Sequence, residues 1–252
     1  MDGCRQVDGR AWSCIDFISD LHLCEQQPQT FEAWRTYLKT TPAQALFILG
    51  DLFEVWVGDD VLNDPGAHFE RDCVAALQAA SQRLRVHFMC GNRDFLAGPA
   101  LMQHTGMQAL EDPTLLILPA QRVLMTHGDA WCVDDHDYQS FRAEVRTPAW
   151  QQQFLQRPLA ERQALARAMR GASETRKREH TTYADVDTAL SLYWLNQTEA
   201  DLLVHGHTHR PATHALPDAR ERWVLSDWDM HAPVPRAQVL RWQGQWQRIA
   251  LA

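Results

Sequence analysis

Cys14-Ile15-Asp16-Phe17-Ile18-Ser19 is a short, largely apolar run that stops abruptly at Asp20-Leu21-His22, a carboxylate and an imidazole two positions apart. The same plan recurs along the chain. Ala45–Leu49 runs into Gly50-Asp51, Val86–Cys90 into Gly91-Asn92, Val123–Thr126 into His127-Gly128-Asp129, and Asp201–Val204 into His205-Gly206-His207. Short, continuous apolar runs of this kind read as strands buried on both faces. Each one ends in a side chain able to bind metal, so five strand ends present polar ligands.

Between the first three runs the period changes to that of helices. Phe31, Trp34, Tyr37 and Leu38 share one face, and Phe69, Cys73, Leu77 and Leu84 fit another. The early chain is therefore β-α-β. From Asp137 to Tyr193 β character disappears and Gln, Arg, Ala and Glu dominate, predicting two or three helices punctuated at Pro148, Pro158 and Gly171 with Ser173. This stretch reads as an inserted helical lid. Arg222–Leu225 and Ala237–Leu251 return to strand character, the latter as a hairpin turning at Gln243-Gly244-Gln245. The residues ahead of Cys14 carry no motif and are expected to precede the first strand.

Composition bounds the function. The chain has 252 residues, 45% of them apolar and 22% charged, enough to bury a sizeable core in one large domain or a domain with an insertion. A net charge of −8 argues against a broad electrostatic grip on nucleic acid, which needs surplus Lys and Arg. The six cysteines are scattered singly, with no C-x-x-C pair, and read as reduced thiols. Met1–Ser13 has no apolar core of a secretory signal, and no apolar run approaches the ~18 residues of a spanning helix. Any membrane association is expected to be peripheral.

Taken singly, the polar ends are weak signals. D-x-H in isolation is usually a solvated loop, and Gly-Asn is a common turn pair. Jointly they differ: D-x-H, G-D, G-N-x-D, H-G and G-H-x-H arrive at five independent strand ends. Their mixed oxygen and nitrogen donors suit Zn, Fe or Ni, tolerate Mn and disfavour calcium.

That order resembles the calcineurin-like metallophosphoesterase family, from about Asp16 to Trp228. The resemblance implies an α/β fold, a four-layer β-sandwich flanked by helices, forming a single domain over 1–252 with the 137–193 lid inserted in it. It further implies two metal ions, one held by Asp20, His22, Asp51 and His209 and the other by Asp51, Asn92, His127 and His207, with Asp51 bridging. Asp51, Asn92, Arg93 and His127 would form the catalytic core around a water aligned with phosphorus. No Ser or Cys nucleophile is needed.

Where many members carry histidine after the G-N pair, this chain has Arg93, whose planar fork suits a diphosphate but cannot exchange a proton near neutrality. A weakly basic leaving group is implied. The strings Phe17–Leu23, Gly50–Trp56, Gly58–Asp60, Gly91–Phe95, His127–Asp129 and His205–Pro211 are similar to the branch of the family that cleaves UDP-2,3-diacylglucosamine in the Gram-negative lipid A pathway, usually with manganese. Within the insertion Asp134-Asp135, Met169-Arg170 and Ser173 extend the likeness. The resemblance thus implies substrate contacts from Asn92, Arg93, Asp135, Ser173, Lys177, His180 and His207. It also implies a nucleotide-activated acylated sugar as substrate and peripheral attachment on the cytoplasmic side of the inner membrane. The apolar lid residues Phe141, Val145, Trp150, Phe154, Leu155, Leu159, Leu165 and Met169 either enclose acyl chains or pack the lid. Trp56, Trp131, Trp194 and Trp228 read as core rather than as platforms for uracil. The alternatives are another phosphodiesterase or phosphatase of this fold, or a metal-binding scaffold without turnover.

Overall fold

The computed structural model describes residues 4–179 and 184–252, and of residues 170–179 the backbone alone. Two six-stranded sheets face each other. One runs β12 (Trp246–Ala250), β11 (Gln238–Trp242), β2 (Ile15–Ile18), β3 (Ala45–Leu49), β4 (Arg85–Met89), β5 (Gln108–Leu110). The other runs β1 (Arg5–Asp8), β6 (Thr114–Ile117), β7 (Arg122–Thr126), β8 (Leu202–His205), β10 (Glu221–Val224), β9 (Ala212–Ala215).

Strand alternation builds the layers. Ile15, Phe17, Phe47 and Leu49 meet Leu116, Val123, Met125 and Val204 between the sheets. The intervening Ile18, Leu46, Ile48, Val86 and Phe88 face outward, where α1 (Pro28–Thr40) and α2 (His68–Ser81) cover them with Phe31, Trp34, Leu38, Cys73 and Leu77. On the opposite side α7 (Thr188–Thr198) lays Leu195 over Leu124 and Leu203. A helix–sheet–sheet–helix sandwich results, and each central strand is buried on both faces because each face has a layer to cover it.

The parallel ladders decide where the chemistry goes. β2, β3 and β4 pair in parallel, with Ile18 opposite Ile48 and Leu49 opposite Met89, and β7 pairs in parallel with β8, with Thr126 opposite His205. All five motif-bearing strands therefore release their carboxyl ends at one edge of the sandwich.

Several details differ from the reading of the sequence. The residues ahead of Cys14 do include a strand: β1 pairs in parallel with β6, Val7 lying opposite Leu116. It is an edge strand whose residues are mostly exposed, so it carries none of the apolar signal that marks a buried one. Among the described residues, 136–198 hold four helices: α4 (His136–Val145), α5 (Pro148–Leu155), α6 (Leu159–Glu179) and α7. The first three rise over the strand ends. Trp150, Leu159 and Leu165 pack with Phe154 against Val57 and Leu96, and buried Arg162 donates to Val57 O and the Asp60 carboxylate. Trp56, Trp131 and Trp228 are buried in the core as expected, and Trp194 stacks on Trp131.

Candidate metal centre

The strand ends turn sharply, and the turning residues are the ligand candidates themselves. Asp20, His22, Asp51, His207 and His209 all have positive φ, between 49° and 65°. Non-glycine residues rarely adopt this left-handed conformation, and they do so mainly where function demands it. The loops hold it by continuing the strand pairing: Asp20 N–H donates to Gly50 O, His22 N–H to Asp51 O, and Gly206 N–H to His127 O. Glycine is required at closest approach. A Cβ on Gly91 would overlap the Asp51 carboxylate, and one on Gly206 would overlap Asp20 and Ser19.

Seven side chains from the loops at these strand ends converge. His22 Nε2 lies 3.2 Å from His209 Nε2 and 4.0 Å from both Asp20 Oδ1 and Asp51 Oδ2. His209 Nε2 is 3.3 Å from Asp20 Oδ1. On the other side of Asp51, His127 Nε2 is 3.7 Å from Asp51 Oδ1 and 3.1 Å from Asn92 Oδ1, which is also 2.9 Å from His207 Nδ1. Two overlapping groups, Asp20–His22–His209 and Asp20–Asp51–His127, have ligand atoms close enough together to share a cation.

The donor set fits divalent metal. Asp20 Oδ1 is buried without an aligned hydrogen-bond donor, which in a dry site is costly unless a cation satisfies it. Around the ligands lie partners of the kind that orient metal-binding imidazoles. His127 Nδ1 is 2.8 Å from Leu49 O, His22 Nδ1 is 3.0 Å from Glu54 Oε2, and His209 Nδ1 is 3.8 Å from Asp227 Oδ2. Asp94, the last residue of the G-N-R-D string, turns away from the ligand candidates. Its carboxylate accepts from the backbone N–H groups of Gly91 and Leu52, both at 2.7 Å, and so ties the second and third loops together.

The ligands' charges respond to this crowding. Burial pulls His127 down, but Asp51, Asp20 and Asp129 outweigh it and hold its pKa at about 9. Burial and the positive His127 beside it depress His207 to about 3. Burial would raise Asp20, yet His209, His127 and His22 carry it well below the carboxylate range. In the absence of metal, protons on His127 and His22, both raised against burial by the surrounding carboxylates, thus stand in for cationic charge, and a cation taking their place must displace them.

Arg93 sits beside the ligands: its N–H donates to Asp51 Oδ1 at 2.8 Å, and its guanidinium is 3.4 Å from Glu54 Oε1. Helix α4 reaches the same loops. Asp129, wholly buried, accepts from Tyr138 Oη at 2.5 Å and Arg142 Nε at 2.8 Å, while Arg146 Nη2 donates to Gly91 O at 2.8 Å. Helix α4 is therefore clamped to Gly91, next to Asn92, and to Asp129, two residues beyond His127.

Asp135 is at the N-cap of α4, exposed, its carboxylate accepting from Tyr138 N–H. Ser173 and Lys177 lie in α6, where only the backbone is described, and His180 lies outside the described residues. Reading the sequence missed Glu54, Tyr138, Arg142 and Arg146. Glu54 stood three residues after Asp51 in an already suspect string; the α4 residues offered no signal beyond helical spacing. Among the described residues, no helix is long and apolar enough to cross a membrane.

Over most of its length the chain is similar to known proteins. Residues 15–211 match the calcineurin-like phosphoesterase family. A protein of Aromatoleum aromaticum named UDP-2,3-diacylglucosamine hydrolase is 45% identical over 241 residues, covering 93% of this chain and 95% of its own. A protein of the same name from Bordetella pertussis is 43% identical, covering 91% and 90% respectively. A solved archaeal phosphodiesterase aligns over 94% of this chain and 99% of its own with a TM-score of 0.48 at 11% identity.

Proposed function

The chain belongs to the calcineurin-like phosphoesterase family, and on that premise we propose that it hydrolyses the pyrophosphate bond of UDP-2,3-diacylglucosamine at the α-phosphorus, giving UMP and 2,3-diacylglucosamine 1-phosphate. The observation that carries the reading is the placement of Arg93 beside a convergent set of carboxylates and imidazoles, in a chain 45% identical to a relative named for that substrate.

We assign two manganese ions, one to Asp20, His22, Asp51 and His209 and one to Asp51, Asn92, His127 and His207. Divalent ions bound there supply Lewis acidity, lowering the pKa of water and neutralising charge on the phosphoryl oxygens. The chain's own residues do the rest. Asp51, between the two groups, aligns them. Asn92 offers its amide between His127 and His207. Arg93, always charged, grips the diphosphate oxygens through its fork and moves no proton. His207, whose Nδ1 lies 2.9 Å from Asn92 Oδ1, is assigned to the second ion as a neutral imidazole. Attack at the α-phosphorus forms UMP and expels 2,3-diacylglucosamine 1-phosphate, a weakly basic phosphate leaving group, so departure needs no protonated side chain.

The lid over residues 137–193 takes the lipid end in this reading. Asp135, Ser173, Lys177 and His180 are assigned to the sugar and its phosphate. Phe141, Leu155 and Met169 are exposed despite their size, and each methylene they bury is worth about 0.8 kcal/mol. A substrate drawn from a bilayer favours peripheral attachment at the cytoplasmic face of the inner membrane.

The test is to assay metal-stripped protein on UDP-2,3-diacylglucosamine with and without Mn²⁺, following UMP. Manganese-dependent UMP release is expected. Silence with activity on a generic phosphodiester retains the chemistry and discards the substrate, and silence on both with retained metal binding supports a scaffold.

A further inference from the structure

Glu54 lies in the loop after β3, three residues beyond Asp51, and is 8% exposed. A carboxylate removed from water at this depth requires charged partners. Its two oxygens divide between two neighbours with different assignments: Oε2 is 3.0 Å from His22 Nδ1, and Oε1 is 3.4 Å from Arg93 Nη1. The first is an ion-pair approach, out of line with the ring N–H, and the second a charge pair between side chains that are both largely buried. Arg93 closes the circuit through its main chain, whose N–H donates to Asp51 Oδ1.

We propose that Glu54 is a positioning residue that couples the metal site to the substrate-gripping arginine. Two consequences follow from its charge. On the His22 side, an anion at Nδ1 favours the ring form whose Nε2 lone pair faces Asp20 and Asp51 and raises the basicity of that nitrogen. On the Arg93 side, Glu54 gives the guanidinium a carboxylate of its own. Without it, the Asp51 carboxylate that already accepts the Arg93 main-chain N–H is open to the guanidinium as well, and a cation there competes with metal for the same oxygens. One acidic residue thus prevents the substrate-binding charge from occupying the metal's ligands. The proposal rests on the metal-dependent hydrolase reading above.

The experiment separates the two. Wild type, Glu54→Gln, Glu54→Ala, Arg93→Ala and the Glu54→Ala/Arg93→Ala pair are stripped of metal and titrated with Mn²⁺ alone by calorimetry, then assayed for kcat and KM. Wild type that binds no Mn²⁺ overturns the hydrolase reading itself. With wild type binding, Glu54→Ala is expected to weaken Mn²⁺ affinity by roughly 10–100-fold. Removing Arg93 as well should restore part of that affinity, because the competing cation has gone. Glu54→Gln, which is isosteric but can offer only one neutral acceptor, should fall between with an unchanged thermal midpoint. A merely structural Glu54 predicts a lower thermal midpoint, Mn²⁺ affinity within about threefold of wild type, and additive effects of the two alanine substitutions; that pattern overturns the proposal.

Discussion

His87 provides a direct test of how the inter-sheet core treats charge. It lies on β4, 4% exposed, its ring stacked on Phe47 at 4.7 Å and 7° and tilted against Trp12 at 5.8 Å, with neither ring nitrogen hydrogen-bonded. Burial, assisted by the nearby Arg85, lowers its pKa from 6.5 to about 4. The sign follows directly. Between pH 6.5 and 4 the unfolded chain carries the proton and the folded one does not, so acid favours unfolding; the stability is whole above 6.5 and lost as pH falls through that window. Each pH unit is worth about 1.36 kcal/mol, so the loss on reaching pH 4 is about 3 kcal/mol. A phenyl ring in place of this imidazole cannot titrate. In urea melts of metal-free protein followed by tryptophan fluorescence, the stability of the His87→Phe variant minus that of wild type should therefore be constant above about pH 7, rise by about 1.4 kcal/mol per unit below 6.5, and level off near pH 4. Taking the difference cancels the carboxylates common to both proteins. Parallel pH curves for the two would refute the reasoning, since they would mean that His87 accepts its proton in place and that the layer between the sheets is not dry around it.

Four further outcomes are expected. Asp51→Ala and His22→Ala should each abolish Mn²⁺-dependent turnover while leaving circular dichroism unchanged, because both side chains serve the polar centre rather than the core. Arg93→Lys should keep the fold and metal binding yet lose roughly 10–100-fold in kcat/KM, a point charge replacing hydrogen bonds to a charged group worth about 1.5–3 kcal/mol. Gly206→Ala pushes a Cβ into Asp20 and Ser19, so Mn²⁺ affinity and stability should fall together, the latter by about 1–3 kcal/mol as read from urea midpoints. Asp16→Ala strands Arg241, which donates to Asp16 at 2.6 and 2.8 Å alongside Tyr37 and Thr41. It should lower stability by about 3–5 kcal/mol while leaving kcat per folded molecule unaltered.

Burial decided which parts of this architecture were legible in sequence. Strands β2, β3, β4, β7 and β8 are covered on both faces, so continuous apolar runs betrayed them, and their parallel pairing made the order of polar ends meaningful. Helix α1 announced itself because Phe31, Trp34, Tyr37 and Leu38 all face one layer. The hairpin of β11 and β12 was marked by Gly244, whose φ of 73° the turn needs. The edge strands β1 and β9 bury too little to leave a pattern. Helix α7 was absorbed into the lid because its apolar residues are spread around it, although its buried side packs on the sheet. In the site, the ligand candidates could be named from spacing, but their supports could not. Glu54 and Arg146 act across loops far apart in sequence, and a partner chosen by three-dimensional proximity leaves no periodic trace.

The left-handed backbone at five ligand candidates was equally invisible, since Asp and His carry no marker of positive φ as glycine does. Its cost explains the surrounding architecture. Each such residue is disfavoured by about 1–2 kcal/mol, against a typical domain stability of only about 5–15 kcal/mol. The strain persists because the geometry is over-determined by backbone bonds that do not involve the ligand side chains: Asp20 O accepts from Trp228 N–H, Asp20 N–H and His22 N–H extend the β2–β3 pairing, and the Asp94 carboxylate gathers the loop amides of Gly91 and Leu52. Burial pushes Asp94 up to about 7, with Asp51 adding to the rise, so even this brace is maintained against an electrostatic penalty. The double-sheet core, dry and close-packed, supplies the stability that these turns consume. The directions of the ligand candidates are consequently set by main chain, which is the preorganisation that catalysis by positioned charge requires.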